Sequence, residues 1–292
     1  MSQSCRQNDP RRSQKERRLG DFRFFGGRLH LETPFFFLGL QIMSSPSNPW
    51  CVTKNDVLFE DEWIIAINKP SGLPSQATLD PARDHAFAAV SRYLGGHYVG
   101  LHHRLDAGTS GVLLLAKNKL ANPSLSAQFQ DHSVQKTYVA IAAATQPDTR
   151  VAQDAMILLK DSIGEDKTSR IQKFCVGGKN RKYAETQILC QKYLTLRDGF
   201  LAWFACQPRT GRTHQIRVHL ASLGFPILGD TLYGNKPLRS ILAWLPDRLC
   251  LHAAAIALKH PVTGENMTIE APCPTCFQKF IKKMENIAVK TG

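Results

Sequence analysis

The sequence predicts an α/β protein of the α+β kind, and three observations carry that reading. Val112-Leu113-Leu114-Leu115-Ala116 is a continuous apolar run entered through Gly111, which reads as a strand buried on both faces. Further strand-like runs occur at 63–68, 136–142, 184–190, 200–207 and 251–258. Only four stretches, beginning near residues 84, 124, 213 and 277, space their apolar residues as helices do. At 292 residues and 43% hydrophobic content the chain can bury a sizeable core.

The first part of the chain has a different character. Up to Met43 it holds eight Lys/Arg against four Asp/Glu, and its first thirty residues lack apolar periodicity, so residues 1–45 are expected to be a disordered basic extension. Phe35-Phe36-Phe37-Leu38-Gly39-Leu40 is too short to span a bilayer, and no cleavage site of the secretory kind follows the basic region. Met43 is the better candidate for the natural start, since 44–49 then form an ordinary polar leader.

A folded domain is expected over 54–285. Trp63 to Asn68 reads as a strand stopped by Lys69-Pro70-Ser71-Gly72, a turn dictated by proline and glycine. Phe87, Val90 and Leu94 have helical spacing, closed by Gly95-Gly96. A short helix at 124–131 leads to a strand, Lys136 to Ala142, with Tyr138 on the face opposite Val139 and Ile141. Residues 147–183 are polar and are expected to be loops and short edge strands facing solvent. Their Lys160, Lys167, Arg170, Lys173, Lys179, Arg181 and Lys182 give that surface a cationic character suited to phosphates. After Gly211 the period changes: Ile216, Leu220 and Leu223 mark a helix with Thr213 as N-cap and Gly224 just past its end. His214, Arg217 and Ala221 share a stripe beside its apolar face, and an arginine there needs an anionic partner. The final helix carries Phe277, Phe280, Ile281 and Met284 on one side and lysines on the other.

Net charge and cysteines bound the function. A net charge of +13 and a pI near 9.5 point to polyanionic partners. Eight scattered cysteines read as free thiols in a reducing compartment, and a cytoplasmic location is expected. Cys273-Pro274-Thr275-Cys276 is a single CxxC without further ligands at plausible spacing, so no metal is expected.

The chemistry gathers at His103-Arg104-Leu105-Asp106-Ala107-Gly108-Thr109-Ser110-Gly111, a polar loop delivered to the start of the buried strand. Asp106 is its only carboxylate, with Arg104, His102 and His103 close in sequence. Such a group is a candidate nucleophile or base, although clusters of this kind also arise as structural ion pairs. His214 and His219 lack the i, i+4 spacing of a helical zinc pair and read as framework residues. Thr109 and Ser110 read as loop-bracing hydroxyls, since no GxSxG accompanies them.

The nonapeptide resembles the HRLDxxTSG signature of the RluA-type pseudouridine synthases. Further blocks match in the family's order: Asn68 to Gly72, Lys136 to Ala140, Thr210 to Leu220 leading into Pro226 to Asp230, and Leu251-His252-Ala253 with His260 to Glu265. The resemblance covers about residues 54–275. It implies a mixed, mostly antiparallel central sheet with flanking helices and a central active-site cleft. It also implies a cofactor-free isomerase that converts uridines in structured rRNA or tRNA to pseudouridine. The catalytic roles would fall to Asp106 as nucleophile, Arg217 as the cation holding it, and Tyr138 as the ring stacked on uracil. Attack at C1′, attack at C6 and assisted elimination to a glycal all fit these residues. Arg104 would fill the gap left by a flipped uridine, and His103, Arg212 and Leu251 would contact substrate. The S4-type module found in many relatives is not seen before residue 54, so recognition would rest on the catalytic domain, acting as a monomer on an RNA stem-loop. The rival reading is an RNA-binding protein that keeps this fold without catalysis.

Overall fold

The computed structural model describes residues 49–169, 171–234 and 238–291. The expected basic extension and the start at Met43 lie outside the described residues. Residues 45–292 group as one unit. Its strands are β1 (Val57–Glu60), β2 (Ile64–Lys69), β3 (Gly100–Leu101), β4 (Ser110–Ala116), β5 (Gln135–Ala144), β6 (Met156–Glu165), β7 (Phe174–Val176), β8 (Lys179–Leu196), β9 (Gly199–Pro208), β10 (Leu251–Lys259) and β11 (Asn266–Glu270). Its helices are α1 (Ala86–Tyr93), α2 (Asn122–Gln130), α3 (Gln215–Ser222) and α4 (Thr275–Thr291).

The strands form one sheet in the order β1-β2-β4-β10-β5-β9-β8-β6-β7, with β3 added to β4 and β11 to β10. All its pairings are antiparallel except β4 with β10, so the mixed, mostly antiparallel sheet implied by the sequence is what forms. That parallel contact is a seam: β10 joins the early strands to the later ones, lying beside β4 through Ser110 and Gly111 and beside β5 from Leu251 to Ala257.

β4 is buried on both faces, as its unbroken apolar run requires. Leu113 and Leu115 pack with Ile65, Ile67 and Val90 of α1 on one side. Val112 and Leu114 pack with Ile64, Leu125 of α2 and Ile256 on the other. Each such side chain contributes roughly 1.5–3 kcal/mol by leaving water. A second core joins β5, β8 and β9 to α3 and α4 through Ile141, Phe204, Leu220, Phe225 and Phe277. The apolar stripe of α4 faces this core, with Phe277, Phe280, Ile281 and Met284 all buried.

The structure corrects two expectations. Within 147–183 the three-residue β7 is a short edge strand as expected, but β6 and β8 are not short. β6 runs ten residues, and β8 runs eighteen, from inside the polar segment through the strand read at 184–190. The reason is alternation masked by polar residues: Ile157, Leu159 and Ile163 point inward while Met156, Leu158 and Lys160 point out. The N-cap of α3 is His214 rather than Thr213, in the left-handed conformation and without a side-chain cap bond. The loop ahead of α3 is held instead by Gln215, whose Oε1 accepts from Thr210 Oγ1 at 2.7 Å and from the Arg212 N–H at 3.0 Å. Gly224 does close the helix, donating to the Ala221 carbonyl with φ +74°.

Candidate active site

The loop before β4 is clamped from beneath. Lys69 is wholly buried at the end of β2, and its Nζ donates to the carbonyls of Pro70 (2.9 Å), Leu73 (2.7 Å) and Ala107 (3.3 Å). Three bonds need all three ammonium protons. Burial, with Arg248 adding to it, lowers this lysine's pKa to about 7. Ser71 Oγ donates to the Gly108 carbonyl, and Ser75 Oγ donates to Leu105 O while accepting from the Leu105 N–H. The carboxylate of Asp106 therefore projects from a backbone fixed on both sides.

It projects into a cleft of about 820 Å³ lined by Arg104, His103, Tyr138, Arg212, Arg217 and Leu251 among others. Helix α3 delivers Arg217 to this cleft. Its Nη1 lies 3.3 Å from Asp106 Oδ2, while Nε and Nη2 make a bidentate pair with Asp230 at 2.7 and 2.8 Å. The guanidinium also lies 5.1 Å from the centre of the Tyr233 ring. The dominant partner of Arg217 is thus Asp230, which the sequence reading did not single out. A signal was present: an arginine beside a buried face demands an anion, and the Gly229 turn brings Asp230 within reach. Burial opposes the charge on both groups, but the shared hydrogen bonds outweigh it, holding Asp230 below the usual carboxylate range and Arg217 above its own. The Asp230 side chain has no exposure, whereas Asp106 keeps 29%, so Asp106 is the carboxylate a substrate can reach.

Tyr138 enters from β5, half-buried at the cleft wall. Burial, and then the nearby Asp106 charge, push its phenol pKa up, so the ring is neutral. Arg104 is exposed at the mouth, with no hydrogen-bond or ion-pair partner among the described residues. Arg212 is half-buried, its Nε donating to the Tyr183 carbonyl at 2.7 Å. Leu251, the first residue of β10, is buried on the floor.

The histidines depart from expectation. His102 and His103 do not bond Asp106. His102 is held by Asn122 and Ser126 at 3.0 and 3.1 Å. His103 stacks on Phe129 and accepts the Leu114 N–H at 3.0 Å, and burial lowers its pKa to about 3. It lines the cleft as a neutral ring. His214, read as framework, instead has Nε2 at 3.8 Å from Asp106 Oδ2. His219 is the framework residue, its Nδ1 2.8 Å from Thr186 Oγ1. Ser110 braces the loop through His252 Nδ1 at 2.8 Å and Arg248 Nη2 at 2.6 Å. Among the described residues no cluster of three His, Cys, Asp or Glu side chains could hold a metal.

A solvent-reachable aspartate lies beside a buried arginine and near a tyrosine ring in the cleft of this mixed sheet, and residues 63–222 match the family described as RNA pseudouridylate synthase. The chain belongs to that family, whose reaction is the isomerisation of uridine to pseudouridine in RNA. It is 34% identical over 237 residues to the dual-specificity RNA pseudouridine synthase RluA of Escherichia coli K12, covering 80% of this chain and 99% of that protein. It is 35% identical to the ribosomal large subunit pseudouridine synthase C of the same organism, over 79% of this chain and 70% of the relative. With the tRNA pseudouridine synthase C of Pectobacterium carotovorum it shares 34% identity over 75% of its own length, but spans only 59% of that relative. Among solved structures, human RNA Pseudouridylate Synthase Domain Containing 4 superposes with a TM-score of 0.61 at 26% identity, over 79% of this chain and 93% of that one.

Proposed function

We propose that Asp106 is the nucleophile with which this synthase opens the N1–C1′ bond of a uridine, with Arg217 holding the carboxylate and Tyr138 stacking on the detached base. The observation that carries this reading is the unequal sharing of Arg217: Asp230 neutralises it, and Asp106 remains an exposed carboxylate at 3.3 Å. The bond account needs no external reagent. N1–C1′ breaks, C5–C1′ forms, the C5 hydrogen leaves as a proton and N1 gains one. Aspartate suits the covalent or stabilising role, guanidinium suits a carboxylate partner, and a phenol ring retains uracil by stacking. The protein works without metal or small-molecule cofactor, as a monomer, in the cytoplasm.

A uridine in a helix must leave the stack before it can react. Arg104, at the mouth and without a partner among the described residues, suits the gap left behind, while His103, Arg212 and Leu251 meet the incoming nucleotide. The cationic edge formed by β6, β7 and β8 suits a phosphate backbone, and recognition resting on the catalytic domain and this edge favours a stem-loop of rRNA or tRNA as target.

Pseudouridine mapping by carbodiimide-dependent primer extension, across total RNA from cells with the gene, without it and with Asp106→Ala, tests the reading. One or a few sites should vanish in both altered strains. Loss only in the deletion would remove Asp106 from the chemistry, and an unchanged deletion map would favour a non-catalytic RNA-binding protein.

A further inference from the structure

His214 occupies a costly backbone position. It is a non-glycine residue at φ +56°, one step before α3, where its side chain caps nothing. Its ring is nonetheless held by two aromatic neighbours. Phe174 of β7 meets it edge-on with centroids 5.7 Å apart, and Tyr233 does so at 5.6 Å. The Tyr233 hydroxyl accepts the Phe174 N–H at 3.0 Å and lies 3.0 Å from His214 Nδ1. In the tautomer with Nδ1 unprotonated, the hydroxyl, already accepting from Phe174, donates its own proton to Nδ1. The imidazole proton is then on Nε2, the nitrogen 3.8 Å from Asp106 Oδ2.

Arg217 Nη1 and His214 Nε2 thus approach the same oxygen of Asp106, Oδ2, and Oδ1 has no hydrogen-bond partner among the described residues. We propose that His214 is a positioning residue which, with its tautomer set by Tyr233, holds Asp106 Oδ2 so that Oδ1 is the oxygen presented to the substrate. This rests on Asp106 being the nucleophile. The charged and titratable groups facing the ring are Asp106 from the loop, Arg217 on α3, Asp230 and Tyr233 after it, and Lys173 beside β7, whose Nζ lies 5.4 Å from the Tyr233 ring centre. Burial, followed by the opposing pull of Asp106, leaves the imidazole pKa below its ordinary value, which keeps a neutral donor in place. A separation of 3.8 Å is long for a hydrogen bond and is of the kind that closes when substrate fills the site.

Two substitutions separate this role from a purely local one. Asparagine tolerates the left-handed backbone best but cannot reach Asp106; glutamine fits that backbone less well but carries an amide N–H to about the place of Nε2. Single-turnover rates and RNA affinities should be measured for His214→Asn, His214→Gln and Asp106→Asn on the RNA identified by mapping. The proposal expects H214N to lose roughly 10- to 100-fold in rate with little change in affinity, and H214Q to recover at least about tenfold of that loss. H214N equal to or faster than H214Q would overturn it. If H214Q fails to fold, Tyr233→Phe serves: a rate loss at unchanged affinity supports the tautomer lock, and an unchanged rate overturns it. An active D106N would sink the nucleophile reading itself, whereas an inactive D106N beside H214N equal to or faster than H214Q would remove only the role of His214.

Discussion

Arg217 directs two donor groups at Asp230 and one at Asp106, and this division separates a carboxylate sealed in its ion pair from one a substrate can reach. A guanidinium this deeply buried cannot be left with only the longer contact. Asp230→Ala is expected to lower unfolding free energy by about 3–5 kcal/mol, as loss of one partner of a buried pair does. Urea denaturation measures this, and a change under about 1 kcal/mol would mean that Asp106 alone satisfies the arginine. Asp106 and Arg217 were legible in the sequence because each stands in an unbroken motif, and Arg217 also lies beside an apolar helical face. Asp230 was not, because its role depends on where the left-handed Gly229 turn aims it, and no periodicity encodes that. His102 and His103 misled for the opposite reason: sequence neighbours of Asp106, they bond instead to side chains of α2 and to the backbone of β4.

At the scale of elements, the seam between β4 and β10 leaves room for one residue type at position 111. Gly111 has φ +108°, and a Cβ there would stand 2.1 Å from the Ala253 carbonyl oxygen. Neither the dihedral nor the contact can be relieved without parting the strands. Gly111→Ala is therefore expected to cost more than about 3 kcal/mol, the range of strained or sterically impossible substitutions. Guanidinium denaturation would show it, and wild-type stability would mean that the two strands can separate locally without penalty. The apolar run of β4 was legible because burial on both faces leaves a continuous signal. The first part of β8 was not, because its first five residues are exposed and carry lysine, arginine and asparagine in a stretch held by pairing with β6 rather than by burial. The cap of α3 was misplaced because the loop is fixed by Gln215 and Thr210, a tertiary arrangement that replaces the usual local signal.

Across the whole molecule, histidines buried in the neutral state tie stability to pH. His252 of β10 is bonded to Ser110 across the seam, and burial lowers its pKa to about 4 from an ordinary 6.5. The unfolded chain takes up this proton first, so stability is full above pH 6.5 and falls as acid is added towards pH 4, at up to about 1.4 kcal/mol per pH unit. His252→Gln should flatten that part of the curve in chemical denaturation between pH 7 and 5; equal slopes would show that the ring is protonated within the fold. The same strand has a consequence in time. Asp106 and Tyr138 flank a gap that β10 fills, and β10 is made after both β4 and β5. A chain still emerging from the ribosome carries the Asp106 loop on one open sheet edge and Tyr138 on another, with no β10 to register them. Assembly of the cleft thus waits on residues 251–257, and an RNA that meets the chain before they pair finds the two sides of the candidate site unregistered.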